Sequence, residues 1–155
     1  MLAWLRSLFQ PPKPAGPPSP VRAFGPADRP ISQDGVTAEA GGWRVDSREG
    51  RTVRLFEVAN PGVEQCMLTY RARLKVQESQ GRVYLEMWCR LPGAGEFFSK
   101  GFHHAVKGTA DWASYEVPFY LKPGQRPDLL KLNLVTEAAA TVWIKDVEVL
   151  KTPLA

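Results

Sequence analysis

The sequence predicts an all-β protein: an antiparallel jelly-roll β-sandwich of about eight strands, led by a proline-rich tether. Three observations predict it. Over 66–77, Cys66, Leu68, Tyr70, Ala72, Leu74 and Val76 alternate with Met67, Thr69, Arg71, Arg73, Lys75 and Gln77. That is a period of two, with one apolar and one polar face. Similar runs recur at 52–58, 82–91, 112–121, 129–136 and 141–150, with shorter ones near 36–39 and 43–47, and "NPGVEQ", "ESQG", "LPGAGE" and "KPGQRPD" punctuate them. No long stretch has helical spacing, although "GFHHAVKG" has room for a turn. Short strands at this density within about 120 residues make a sandwich or jelly roll.

In chain order, 1–10 is a short apolar peptide, 11–34 a linker and 35–151 the folded domain; 155 residues suffice for one domain with a real core. Residues 11–30 hold 8 of the 14 prolines, which fix φ and remove donors, so an extended, semi-rigid tether is expected. The net charge of +4 is concentrated there. Arg6, Lys13, Arg22 and Arg29 stand against Asp28 alone, so 1–30 carries +3 and the remainder +1. A nearly neutral domain argues against nucleic acid as a partner.

The decapeptide crowds Leu2, Trp4, Leu5, Leu8 and Phe9 around a single charge. It is too short to span a bilayer and lacks the basic region and cleavage site of a secretory signal. Three readings stay open: a frayed terminus, a plug whose Trp4, Leu5, Leu8 and Phe9 dock onto a protein complex or onto the domain itself, and a weakly anchoring interfacial helix. Membrane contact is expected only through 1–10, and the location leans cytoplasmic or membrane-peripheral.

The two cysteines, Cys66 and Cys89, fall on successive predicted strands, 66–77 and 82–91. If these form a hairpin across 78–81, Cys66 faces roughly residue 93 and lies about four residues from Cys89, too far to bridge. Only a pairing across two sheets would bring the thiols together. Buried free thiols are expected, which leans towards a reducing compartment.

The last strand, "ATVWIKDVEVLK", changes phase: Val142 and Ile144 share a face, as do Val147 and Val149, but the two sets are out of step. A bulge at Lys145-Asp146 restores one buried row and turns Trp143, Glu148 and Leu150 to the other side.

The segment "GTADWASYEVPFYLKPGQRPDLLKLNLVTEAAATVWIKDVEVL" (108–150) resembles the second half of a carbohydrate-binding module of the family 4/9 type, a galactose-binding-like jelly roll. The shared pattern is a Gly-Thr lead, Trp112 followed by Tyr115, alternation through Val117, Phe119 and Leu121, a "KPG" turn, a Leu-x-Leu-x-Leu strand and the closing "VWIKDVEVL". The resemblance covers roughly 35–151 at fold level and is specific over 108–150. It implies a non-catalytic binding protein, with Trp112 and the last strand serving packing. Many such modules hold a structural calcium near the chain's ends with two acids. This chain has Lys145-Asp146 there, so calcium is disfavoured and no cofactor is expected.

The candidate ligand row is Tyr84, Glu86, Trp88 and Arg90, opposite the core row Val83, Leu85, Met87, Cys89 and Leu91. Sugar rings stack on aromatic faces while carboxylate and guanidinium groups bind hydroxyls, and this row offers both. Two other uses stay open: a row lying under a loop, and a protein interface. The connection 92–108, "PGAGEFFSKGFHHAVKG", reads as a long loop; its adjacent His103 and His104 make a poor metal pair. Arg71, Arg73 and Lys75 form a basic row that reads as a solvated face, with an anionic ligand as the second reading. No catalytic motif occurs, and Glu86 with Glu96 is no better an acid/base pair than any two carboxylates, so no enzyme is expected. The leading function is recognition of a carbohydrate or similar polar polymer. The alternative is an interaction subunit that docks onto a complex through 1–10 or a sheet face.

Overall fold

In the computed structural model, residues 12–155 are described, and they contain β1 (Ser19–Phe24), β2 (Val36–Glu39), β3 (Gly42–Ser47), β4 (Arg51–Ala59), β5 (Cys66–Leu91), β6 (Gly95–Lys100), β7 (Val106–Tyr120), β8 (Leu129–Thr136) and β9 (Ala140–Pro153). A single 3-10 turn, Phe102–His104, separates β6 from β7. All pairings are antiparallel. The strands join into one sheet that folds over on itself as two layers. The first layer runs β2, β3, β9, the first half of β5, then β7, with β1 beside the second half of β9. The second runs β4, β8, the second half of β5, then β6. This is the jelly-roll sandwich expected from the alternation, with nine strands.

The core lies between the layers. Val142, Ile144, Val147 and Val149 from β9 meet Leu130, Leu132 and Leu134 from β8 and the inward row of β5. Phe24 of β1 stacks on Phe56 of β4 at 4.1 Å, and Trp43 of β3 meets the same ring edge-on at 5.1 Å. The buried Tyr70 hydroxyl donates across the core to the Asn133 carbonyl oxygen at 3.2 Å. The phase change in β9 is a bulge: Asp146 has φ +53°, the β5–β9 register shifts between Arg71 and Arg73, and all four valine and isoleucine side chains of the row face inward. The β2–β3 hairpin turns on Ala40 and Gly41, both at positive φ, which matches the right-handed twist of the flanking strands.

The structure corrects the expected hairpin across 78–81. Residues 66–91 form one long strand whose first half pairs with β9 and whose second half pairs with β8. Glu78, at φ +51°, bends the chain from one layer into the other, and the β8–β9 turn crosses beside it, with Gln80 N–H donating to Ala139 O and Glu137 N–H to Arg82 O. Cys66 and Cys89 thus belong to opposite layers, both buried and both free thiols. Two other segments differ. Residues 19–24, inside the stretch read as linker, form β1, because Pro20 is tolerated on an edge strand and Phe24 gains a buried stacking partner. Residues 95–100, read as loop, form β6 along β5. The two ends of the described chain lie together, with Ala15 N–H donating to Pro153 O at 2.7 Å. Trp4, Leu5, Leu8 and Phe9 lie outside the described residues.

Candidate functional site

The outward face of the second layer follows from the register. Strand alternation sends Tyr84, Glu86, Trp88 and Arg90 to one side, as expected, and pairing places the last three in rows across four strands, with Tyr84 beyond the reach of β6. Glu86 stands between Asn133 and Lys100, with Arg54 beyond Asn133. Trp88 stands between Lys131 and Phe98, with Glu57 beyond Lys131. Arg90 stands between Leu129 and Glu96, and Tyr84 beside Val135.

The four residues are brought together but not equally presented. Tyr84 is only 4% exposed: Phe102 packs edge-on against it at 4.9 Å, and burial pushes its phenol pKa up, with the Glu137 and Glu86 carboxylates adding to the shift. Glu86 is 5% exposed and fully engaged. Its Oε1 accepts from Trp88 Nε1 and from Asn133 Nδ2, both at 2.9 Å, and its Oε2 lies 3.8 Å from Lys100 Nζ. Trp88 is half-buried with Phe98 tilted against it at 5.0 Å. Arg90 is exposed at the end of the row and makes a two-pronged pair with Asp128, 2.8 and 3.2 Å, which lowers the Asp128 pKa. Of the two aromatic faces expected in this row, Tyr84 is closed over by Phe102, and Trp88 forms an edge with Phe98 instead. Phe98 is 54% exposed, and Phe97 and Phe102 each 45%.

The charges on this face cancel in pairs. Lys131 holds Glu96 at 2.7 Å, Arg54 holds Glu57 at 2.9 Å, and Arg82 holds Glu137 through two bonds of 2.6 and 2.9 Å, keeping the Glu137 carboxyl below its ordinary range. Neither Glu86 nor Glu96 offers a free carboxyl. The face is thus electrically balanced, rich in fixed donors and acceptors, and edged by exposed aromatic carbon. Stacking on that carbon and hydrogen bonds to those groups are the interactions this surface has to offer.

Among solved structures, the chain is similar to the CBM22-1 xylan-binding domain of Paenibacillus barcinonensis Xyn10C, with 13% identity, a TM-score of 0.60, and coverage of 91% of this chain and 99% of that one. It is also similar to a CBM4 structure, with 14% identity, a TM-score of 0.53, and coverage of 83% and 77%. The fold is the jelly roll of carbohydrate-binding modules. At these identities the likeness is one of fold. No protein-family model matches the chain, and no curated protein matches it in sequence.

At the β9 bulge one carboxylate, Asp146, stands next to Lys145. Asp146 is exposed, Lys145 lays its ammonium over the Trp112 ring at 4.2 Å, and among the described residues no three acidic, histidine or cysteine side chains cluster. Trp112 is half-exposed on the outward face of the first layer, so it lies outside the core where packing was expected. His104 Nδ1 accepts from Glu116 N–H at 3.3 Å and His103 is exposed. Sequence reasoning missed Phe98, Lys100, Lys131 and Asn133. The "LLKLNLVT" alternation already put Lys131 and Asn133 on the outward row, whereas Phe98 and Lys100 were hidden in a segment read as loop.

Proposed function

We propose that the chain is a non-catalytic module that binds a neutral glycan chain along the outward face of the second layer. The observation that supports this reading most is the half-buried Trp88 with the exposed Phe98 at its side, set among charge pairs that leave the face neutral. Indole and phenyl edges supply the apolar contact for a sugar ring, and Lys131, Glu96 and Arg54 supply hydroxyl partners already held in place, which limits the ordering cost of binding. A single pyranose touches only the Trp88–Phe98 edge, so an oligosaccharide is needed to reach the polar rows on either side. The CBM22-1 relative's description as xylan-binding makes xylan the first glycan to try.

The experiment is calorimetric titration of the protein with xylose, xylohexaose and a panel of other neutral oligosaccharides. Binding of an oligosaccharide without its monosaccharide is expected. Phe98→Ala, at an exposed position, should weaken it about tenfold or more with no change in melting temperature. Absence of binding across the panel, or unaltered affinity in both Phe98→Ala and Trp88→Ala, would overturn the proposal.

A further inference from the structure

The outward face of the first layer is built differently. Register places Arg44, Trp143 and Lys75 side by side on β3, β9 and β5, and Lys145 beside Arg73 in the next row. The Arg44 guanidinium lies 5.4 Å and the Lys75 ammonium 5.2 Å from the Trp143 ring, while Lys145 lies over Trp112. Indole faces therefore hold these cations up from the sheet, so an incoming anion meets charges whose positions are already restricted. Among the described residues Arg73, Lys75 and Lys145 enter no ion pair, in contrast to the balanced second layer. A cleft of about 430 Å³ continues the same face, lined by Arg44, Asp46, Arg48, Gln77, Glu78 and Thr141, and among the described residues Arg48 likewise enters no ion pair.

We infer that this face is a second glycan-binding surface, on the opposite side of the sandwich from Trp88, and that it takes a polysaccharide bearing carboxylates. Arg73, Lys75 and Lys145 meet the carboxylates, and Gln77, Thr141 and Asp46 in the cleft meet the hydroxyls. Charge complementarity selects an anion. The sparse spacing of the cations, with Glu39 and Asp46 beside Arg44, selects against a phosphate polymer, whose dense charge needs continuous basic tracking and is repelled by those carboxylates. A uronate chain carries one charge per ring with hydroxyls between.

Affinity electrophoresis of the full chain through gels containing polygalacturonate tests this. Retardation is expected, abolished by about 0.5 M salt because the charges are exposed, and weakened about tenfold or more in Lys75→Glu/Lys145→Glu. That double variant changes only partly or fully exposed side chains, and circular dichroism checks that it folds. Trp88→Ala should be retarded like the unaltered chain, which separates this surface from the neutral-glycan face. Unretarded protein, equal retardation of the double variant, or equal retardation by double-stranded DNA at matched charge would overturn the inference. Loss of xylohexaose binding alone would leave it standing and remove only the reading of the second layer.

Discussion

Removing the carboxylate of Glu86 tests whether the second layer's face is held by one buried acceptor. Glu86 Oε1 takes both the Trp88 indole and the Asn133 amide at 2.9 Å, inside a residue 5% exposed. In Glu86→Ala the Asn133 amide, in a residue 6% exposed, loses its acceptor and cannot reach water freely, at about 1–3 kcal/mol. The Trp88 N–H is half-buried and recovers a water, so its share is about 0.5–1.5 kcal/mol. Lys100 keeps partial exposure and swings out, adding little. Relief of the buried charge works the other way. The net expectation is a loss of about 1–4 kcal/mol. Glu86→Gln keeps a carbonyl oxygen in place of Oε1 and gives up charge assistance while escaping the desolvation penalty, for a net loss of about 0–1 kcal/mol. Urea unfolding followed by far-ultraviolet circular dichroism measures both. A Glu86→Ala loss below about 1 kcal/mol, or an equal loss in Glu86→Gln, would refute the argument that the acceptor rather than the charge organises the site.

Ile144→Ala should cost about 2–5 kcal/mol in the same assay, because Ile144 is fully buried between the layers and neighbouring strands cannot collapse into the gap. Burial pushes the Cys89 thiol up to about 12, with the Cys66 thiol adding to it, so both cysteines should resist a thiol reagent at pH 8 until urea unfolds the chain; labelling at the rate of a free peptide thiol would contradict this. Glu137 is held below its ordinary pKa by Arg82, so it contributes stability above the unfolded carboxylate value, lost as pH falls through the lower folded value. Arg82→Gln should therefore flatten the decline in melting temperature below about pH 4.5, and an unchanged acid profile would argue that the pair adds nothing.

Alternation along 66–77 and 82–91 determined by itself which side chains face the core, because a strand's period of two allows only two faces. The phase break between Ile144 and Val147 likewise required an extra residue, and Asp146 at positive φ is that residue. What alternation cannot say is which strand lies beside which. "ESQG" has the composition of a hairpin turn, yet Glu78 bends the strand from one layer to the other, because β8 and β9 supply partners on both sides of the bend. The same limit applies to the site. Tyr84, Glu86, Trp88 and Arg90 were legible as one row, but their exposure depends on β6 and the turn after it. Phe102 closes over Tyr84, Phe98 joins Trp88, and Asn133 arrives from 47 residues away to share the Glu86 carboxylate. Trp143 faces outward as the phase of the last strand required, but Trp112, expected to serve packing, also lies on the outward face, where the Lys145 ammonium covers its ring. Local chemistry fixes the direction of a side chain, and only pairing between distant strands fixes its neighbours.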